Sequence, residues 1–354
     1  MTHQSFDISW TMVCGRCVGG SLLLASIVLF GCRSLQSLPE VESHALLRRL
    51  SRLDPKSVQV KRSSTYVLHE SIKTVEQRMS EWLESLPDHF NKAKTNEAMQ
   101  EITHARFFPF EPMATCKDPT LVGAFLPEQK AKRKRKDKDP SKLACGLSID
   151  PIFQQAENCV IYSVGSNNNF RFEHHILALT QCQVHTFDCT GPLERFTKQP
   201  QNERFFFHHQ CLADRYIPPS NCSTNRPEDK HALCGESNTL QHIQQSLGHN
   251  KIALLKMDIE GFEIPILQSW WHQQAPTTTS WLPPQLLVEL HYTTGYAQII
   301  PNDAKQGQRG YVLQTAQELV TLQKMLLELG YVVVAKNDNE LCPSCTEVTL
   351  IRTN

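Results

Sequence analysis

From about Leu143 onward, short apolar runs alternate with longer amphipathic stretches. The runs at 159–164, 183–188, 205–210, 252–257 and 285–291 read as strands, most of them apolar enough to be buried on both faces. Between them, 170–180, 238–247 and about 262–271 read as helices, with Leu240, Ile243 and Leu247 on one face. A longer helix over 312–329 closes at Gly330, a glycine placed where helices end. Tyr331-Val-Val-Val-Ala335 and Glu347-Val-Thr-Leu-Ile351 form a terminal hairpin pair. Alternating β and α predicts an α/β fold: a Rossmann-like, mostly parallel sheet, an antiparallel C-terminal edge strand and helices on both faces. No internal repeat is present.

Upstream the pattern is polar and helical, from residue 34 to about 105. Ile72, Val75, Met79, Trp82 and Leu86 step by three and four and make one apolar seam. Two readings stay open: a stem helix that could self-associate, and a helix packed on the later domain. Lys130-Ala-Lys-Arg-Lys-Arg-Lys-Asp-Lys-Asp139 is a self-repelling, solvated linker. No aromatic residue interleaves with its charges, so no nucleic-acid partner is expected. Between Arg16 and Arg33 the chain carries no charge, which predicts a membrane signal anchor over 1–33, with a cleaved signal peptide as the competing reading. Arg33, Arg48, Arg49 and Arg52 after the span oppose a lumenal orientation under the positive-inside rule. The resulting organisation is anchor 1–33, helical stem 34–129, basic linker 130–141 and an α/β domain 142–354.

Composition changes this picture in one respect. Positive and negative side chains balance at 36 each, so no global field selects a partner. Thirteen cysteines, scattered without metal-ligand spacing, point to an oxidising compartment. With the anchor, this places the protein in the secretory pathway, as a Golgi or ER membrane protein with a lumenal domain, or secreted if the segment is cleaved. Asn221-Cys222-Ser223 is the only glycosylation sequon. Cys342-Pro-Ser-Cys345 lacks the second pair that a zinc site needs and reads as part of a disulfide framework of unassignable connectivity. Neither His174-His175 nor His208-His209 is suited to a shared metal, because neighbours on a helix or strand diverge.

The candidate chemistry sits at strand ends. Cys159-Val-Ile-Tyr-Ser-Val-Gly165 runs into a polar turn and then a helix, where glycine admits close backbone approach and free N–H groups can meet an anion. Asp188 follows Gly165 by 23 residues at the end of the next strand, about where an acid meets the ribose hydroxyls of an adenosine. Either residue alone reads equally as a turn glycine or a helix cap; the joint spacing favours a nucleotide-type site. Ala253-Leu-Leu-Lys-Met-Asp-Ile-Glu-Gly261 delivers Asp258 and Glu260 to the same edge, and 285–291 delivers His291. These three are the candidate bases, with Glu260 as a helix cap and His291 as a satisfied core group as their structural alternatives. Trp270, Trp271 and Trp281 flank this edge, as packing or as a stacking platform.

Tyr162-Ser-Val-Gly-Ser-Asn-Asn-Asn-Phe-Arg-Phe-Glu173, Val184-His-Thr-Phe-Asp188, Leu255-Lys-Met-Asp-Ile-Glu-Gly261 and Leu286-Leu-Val-Glu-Leu-His291 resemble, in order, motifs of the methyltransferase-like protein 24 group, related to FkbM-type methyltransferases. The resemblance spans about 142–354. It implies a class I fold using S-adenosylmethionine, often behind one membrane anchor. It places Gly165 under the methionine portion of the cofactor with Glu173 near it, Asp188 on the ribose and Asp258 at the reacting centre, and counts Ser163 and Asn168 among the cofactor-binding residues. Val164 and Asn169 depart from the group, which often has Phe and an acid there. The implied function is O-methylation of an unidentified acceptor, with no metal. A fold that has lost its chemistry is the first alternative. A Golgi glycosyltransferase holding a metal on Asp258 and Glu260 is the second.

Overall fold

The computed structural model describes residues 65–86, 107–124, 141–157, 159–220, 222–223, 232–273, 280–291, 315–338 and 345–353. The anchor, the basic run, Asn221 and Cys342 lie outside these residues. No helix among the described residues is long and apolar enough to cross a membrane.

Four short strands come first: β1 (Tyr66–Leu68), β2 (Ala114–Cys116), β3 (Pro119–Val122) and β4 (Lys142–Cys145). The main strands are β5 (Val160–Val164), β6 (Gln183–Phe187), β7 (Phe205–His208), β10 (Leu254–Met257), β11 (Gln285–His291), β12 (Tyr331–Asp338) and β13 (Cys345–Arg352), with two small strands, β8 (Gln210–Leu212) and β9 (Glu236–Asn238), after β7. The helices are α1 (Ile72–Ser85), α2 (Arg171–Leu179), α3 (Leu240–Ser246), α4 (Glu263–His272) and α5 (Ala316–Glu328).

Seven strands form one sheet in the order β12-β13-β11-β10-β5-β6-β7. From β5 the chain proceeds to β6 and β7 on one side and returns to β10 and β11 on the other. Both neighbours of β5 are parallel to it. This reversal opens a crevice at the carboxyl ends of β5 and β10, where sheets of this kind hold ligands. Every residue of β5, β10 and β11 is buried, which is why these strands read as continuous runs.

One expectation is corrected. The terminal hairpin forms, but its antiparallel strand is not the edge. β13 lies between β11 and β12 and runs antiparallel to both. The crossover through α5 sets β12 down one position beyond β11, and the hairpin return fills the gap with β13.

Two apolar layers flank the sheet. Phe172, Ile176 and Leu177 of α2 pack with Ile161, Val184, Leu254 and Leu287 on one side. On the other, Ile243, Ile264, Leu267 and Leu326 join Tyr162, Leu255 and Val288. Val75, Met79 and Trp82 of α1 belong to this second layer, so the helix takes the second of its two readings. Its seam faces the domain's own core and is not available for a coiled coil. The packed domain therefore begins near residue 65, earlier than the strand pattern placed it. Trp270 meets Trp281 edge to face, and Trp271 Nε1 donates to Glu328 of α5, so these tryptophans serve packing, Trp270 within the apolar layer and Trp271 between α4 and α5.

Disulfides link Cys116 to Cys145, Cys159 to Cys182, Cys189 to Cys211 and Cys222 to Cys234, and Cys345 is also bonded. The first fastens β2 to β4. Gln285 clamps β4 from the sheet: its side chain accepts from Cys145 N and donates to Cys145 O. Thr349 Oγ1 donates to Leu143 O. Sequence periodicity gave no sign of β4, yet it delivers a side chain to the crevice.

Candidate active site

β5 ends at Val164 and turns at Gly165, whose φ is +82°. A Cβ there would lie 1.9 Å from the backbone oxygen of Asp258. The glycine is thus required first by the neighbouring strand end, and it lets the two halves of the crevice meet. Asn167 and Asn168 follow in the left-handed region, which asparagine tolerates better than most residues.

Asp188 closes this turn. Its Oδ2 accepts from Ser166 N at 3.0 Å, Ser166 Oγ at 3.2 Å and Asn167 N at 2.7 Å, and its Oδ1 accepts from Thr190 N. Asn168 Oδ1 accepts from Lys198 N, and Asn167 Oδ1 from Arg195. The acid expected on a ribose therefore also organises the loop beneath it. Oδ1 retains capacity for one further donor.

Below the turn lies a buried network. Ser163 Oγ donates to Glu173 Oε1 at 2.6 Å, and Lys256 Nζ donates to the carbonyls of Val164 and Gly165. Glu173 stands in the first turn of α2, where the helix dipole favours an anion. Burial pushes its carboxyl upward, opposed by Lys256. Its Oε2 is buried with no hydrogen-bond partner. An orphaned acceptor beside a glycine turn fits a ligand bearing a donor such as an ammonium, since such atoms are seldom left unsatisfied.

The other half of the crevice is built from charges. Asp258 Oδ2 lies 3.0 Å from Lys142 Nζ. Lys142, 3% exposed, also pairs with Glu347 and stands 3.9 Å from Glu289 Oε2. Burial would raise the Asp258 carboxyl, but Lys142 first and Lys256 second hold it far below the usual carboxylate range. Burial and the Asp258 charge drive Glu289 the other way, well above its ordinary value. The two neighbouring carboxyls are thus driven in opposite directions.

Glu260 has φ +56° and a side chain 50% exposed. Its Oε2 lies 3.4 Å from His291 Nε2, and Glu263 Oε1 lies 3.5 Å from His291 Nδ1. Burial alone would lower His291, but Glu263 and then Glu260 hold it well above its ordinary value. That direction favours the charged imidazole, which suits His291 to hold a carboxylate. The capping role open to Glu260 belongs to Glu263, which accepts from Ile259 N at 2.7 Å and Gly261 N at 2.8 Å.

The structure thus gathers Ser163, Gly165, Glu173 and Asp188 on the β5–β6 side and Asp258, Glu260 and His291 on the β10–β11 side. Asn168 caps a loop amide at the rim. Sequence reading missed Lys142, Lys256, Glu263, Glu289 and Glu347. Charged residues inside apolar strands were the available signal for Lys256, Glu289 and Glu347; Lys142 is masked by the basic run before it. Two side-chain groups approach metal-holding geometry among the described residues: Asp258/Glu289/Glu347 and Glu289/His291/Cys345. The first already encloses Lys142, and Cys345 of the second is disulfide-bonded. Asp258 and Glu260 turn to different partners, so the pair that a metal-using glycosyltransferase needs is not formed. His175 accepts from Gly123 N, His208 bonds His185 and His209 bonds Gly191 O, so neither doublet shares a site.

Residues 67–352 match a family described as a methyltransferase domain. The chain belongs to this methyltransferase family. That membership sets aside the glycosyltransferase reading. No curated protein matches the chain by sequence. Among solved structures, the methyltransferase is similar to the Methanococcus jannaschii fibrillarin pre-rRNA processing protein at 11% identity, over 66% of this chain and 88% of that one, with a TM-score of 0.34. An O-methyltransferase family protein from Burkholderia thailandensis is 10% identical over 79% and 68%, with a TM-score of 0.31. The 1,6-didemethyltoxoflavin-N1-methyltransferase of the same organism, solved with S-adenosylhomocysteine, is 9% identical over 83% and 98%, with a TM-score of 0.30.

Proposed function

We propose that this protein methylates a hydroxyl-bearing acceptor with S-adenosylmethionine as donor, and that within its family it stands with the methyltransferase-like protein 24 group. The observation that carries the reading is the meeting of the Gly165 turn, Asp188 and Asp258 at the switch point of a methyltransferase-family sheet. The cofactor supplies an activated methyl on a sulfonium, already a good leaving group. The chain's own task is alignment and exclusion of water. Asp188 Oδ1 offers a ribose hydroxyl one acceptor, and Glu173 Oε2 offers a buried acceptor to an ammonium. Asp258, held as an anion, orients the acceptor by taking a hydrogen bond without taking the proton. Glu260, half in water, is the route by which that proton leaves. His291 keeps Glu260 in place.

The lumenal, membrane-anchored setting is part of the proposal. It is supported by the uncharged stretch before Arg33 and by the disulfides, which persist in oxidising compartments. The acceptor enters from the side of residues 190–240.

A second reading, a fold without turnover, is favoured by one observation: Asp188 already spends most of its acceptor capacity on its own loop. Calorimetric titration of the full chain with S-adenosylmethionine and S-adenosylhomocysteine separates the two. Binding that is lost in Asp188→Asn supports methyl transfer. A folded protein that binds neither at millimolar ligand sinks it.

A further inference from the structure

Lys142 reaches the crevice from β4, a strand that pairs with β3 and lies outside the seven-stranded sheet. β4 is held against the sheet by the two-way Gln285 clamp and the Thr349 hydroxyl, and the Cys116–Cys145 disulfide ties it to β2. All three fastenings lie within a few residues of Lys142, which opens the strand and places its ammonium between Asp258, Glu289 and Glu347. Placing a buried cation is costly unless it is fully paired. Here the pairing is complete, and it engages only the Oδ2 oxygen of Asp258, while the Asp258 side chain remains 25% exposed.

We infer that Lys142 is a positioning residue for methyl transfer: it turns Asp258 toward the crevice and keeps it charged, so that Asp258 meets the methyl sulfonium as a fixed anion. This rests on the methyltransferase reading above. It makes a physical distinction. An anion facing the crevice favours the sulfonium of S-adenosylmethionine over the uncharged thioether of S-adenosylhomocysteine. Electrostatic discrimination of this kind survives any change of acceptor.

The groups that face Asp258 set the expected titration. Burial opposes its charged form, whereas Lys142 from β4 first, then Lys256 from β10, a hydrogen bond with Glu289 from β11 and His291 from β11 favour it; Glu347 from β13 also faces Lys142. Removing Lys142 takes away the largest of the favourable contributions, and Asp258 moves upward.

The test uses the full chain as wild type, Lys142→Arg, Lys142→Met and Lys142→Met/Glu347→Gln; the double variant replaces the ion pair with a neutral one so that the fold is kept. Asp-specific carboxyl 13C spectra, with Asp258 assigned through Asp258→Asn, are followed from about pH 4 to about pH 9. Asp258 is expected not to titrate in wild type or Lys142→Arg, and to titrate within that range in the double variant. Calorimetry at neutral pH then compares the two cofactor forms. The preference for S-adenosylmethionine is expected to fall about fivefold to tenfold in the double variant and to return in Lys142→Arg. A folded double variant whose Asp258 behaves as in wild type overturns the inference. Binding of neither cofactor form by wild type overturns the methyltransferase reading and the sulfonium preference with it, and the carboxyl titration still decides whether Lys142 governs Asp258.

Discussion

On the β5–β6 side of the crevice, Asp188 holds the Gly165 turn through short hydrogen bonds to Ser166 and Asn167, and Ser163 bonds Glu173 at 2.6 Å. On the β10–β11 side, Lys142 stands among three carboxyls and His291 between two. The first arrangement fixes a backbone shape. The second fixes charges, and its energy depends on which protons are present. A methyl transferase needs both: a rigid seat for a large cofactor and a set electrostatic field at the reacting centre.

The two sides touch where Gly165 abuts the Asp258 carbonyl, and the largest effect is expected there. Gly165→Ala adds a Cβ 1.9 Å from that oxygen at φ +82°. The backbone of two strand ends has to separate, at a cost of about 4 kcal/mol or more. Gly248→Ala is the matched control, with φ +72° and nothing within 4 Å of its Cβ. Only the left-handed strain of about 1 kcal/mol is expected there. Urea unfolding of both variants measures the difference, and equal losses would show that the contact between the halves is unimportant.

The next effect is a pair of opposite pH dependences. His185, His208 and His249 form a cluster on the cofactor side, His185 buried and the other two half-buried: His185 Nδ1 lies 3.0 Å from His208 Nε2, and the Tyr162 hydroxyl 2.7 Å from His249 Nδ1. Burial first, then the neighbouring histidines, pushes His185 down to about 3. Its unfolded value near 6.5 is higher, so the unfolded state binds more protons between these values. Stability from this cluster is present above about pH 6.5 and is lost as pH falls toward 3. His291 works in reverse. Its folded value is raised, so its contribution is complete below about pH 6.5 and is lost as pH rises through the folded value. Between pH 7 and pH 5, wild type should lose on the order of 2 kcal/mol relative to His185→Phe. Between pH 6.5 and pH 9, the advantage of wild type over His291→Gln should shrink. Parallel rather than opposed trends would contradict the division of the crevice.

The same division explains what was legible in the sequence. The strands at 159–164, 183–188, 252–257 and 285–291 were visible because burial on both faces leaves a continuous apolar run. The motif residues on them reached the expected edge. What stayed hidden depends on register across strands. His185 and His208 lie on different strands, and only the pairing of β6 with β7 brings their rings together. Glu289 and Glu347 are directly opposite each other only because β13 runs antiparallel to β11. The pairing of Lys142 with Asp258 joins residues 116 positions apart. β4, with four residues, is too short to carry a periodic signal. Strand existence is a local property; who neutralises whom is not.

The smallest expected effect separates the two carboxylates that flank His291. Glu263 is fully buried and caps Ile259 N and Gly261 N as well as facing the imidazole. Glu260 is half exposed and sits in a left-handed conformation that only glycine adopts freely. In Glu260→Gly, the relief of backbone strain and the added freedom of the unfolded glycine nearly cancel, so stability at neutral pH should stay within about 0.5 kcal/mol. The His291 imidazole resonance should nevertheless titrate at a lower pH, because one of its two partners is gone. Glu263→Gln should do both: lower the titration further and destabilise the turn by about 2 kcal/mol, since a buried capping carboxylate is lost. If Glu260→Gly leaves the His291 titration unmoved, the exposed carboxylate is not part of the charged half, and Glu260 is then free to face the acceptor alone.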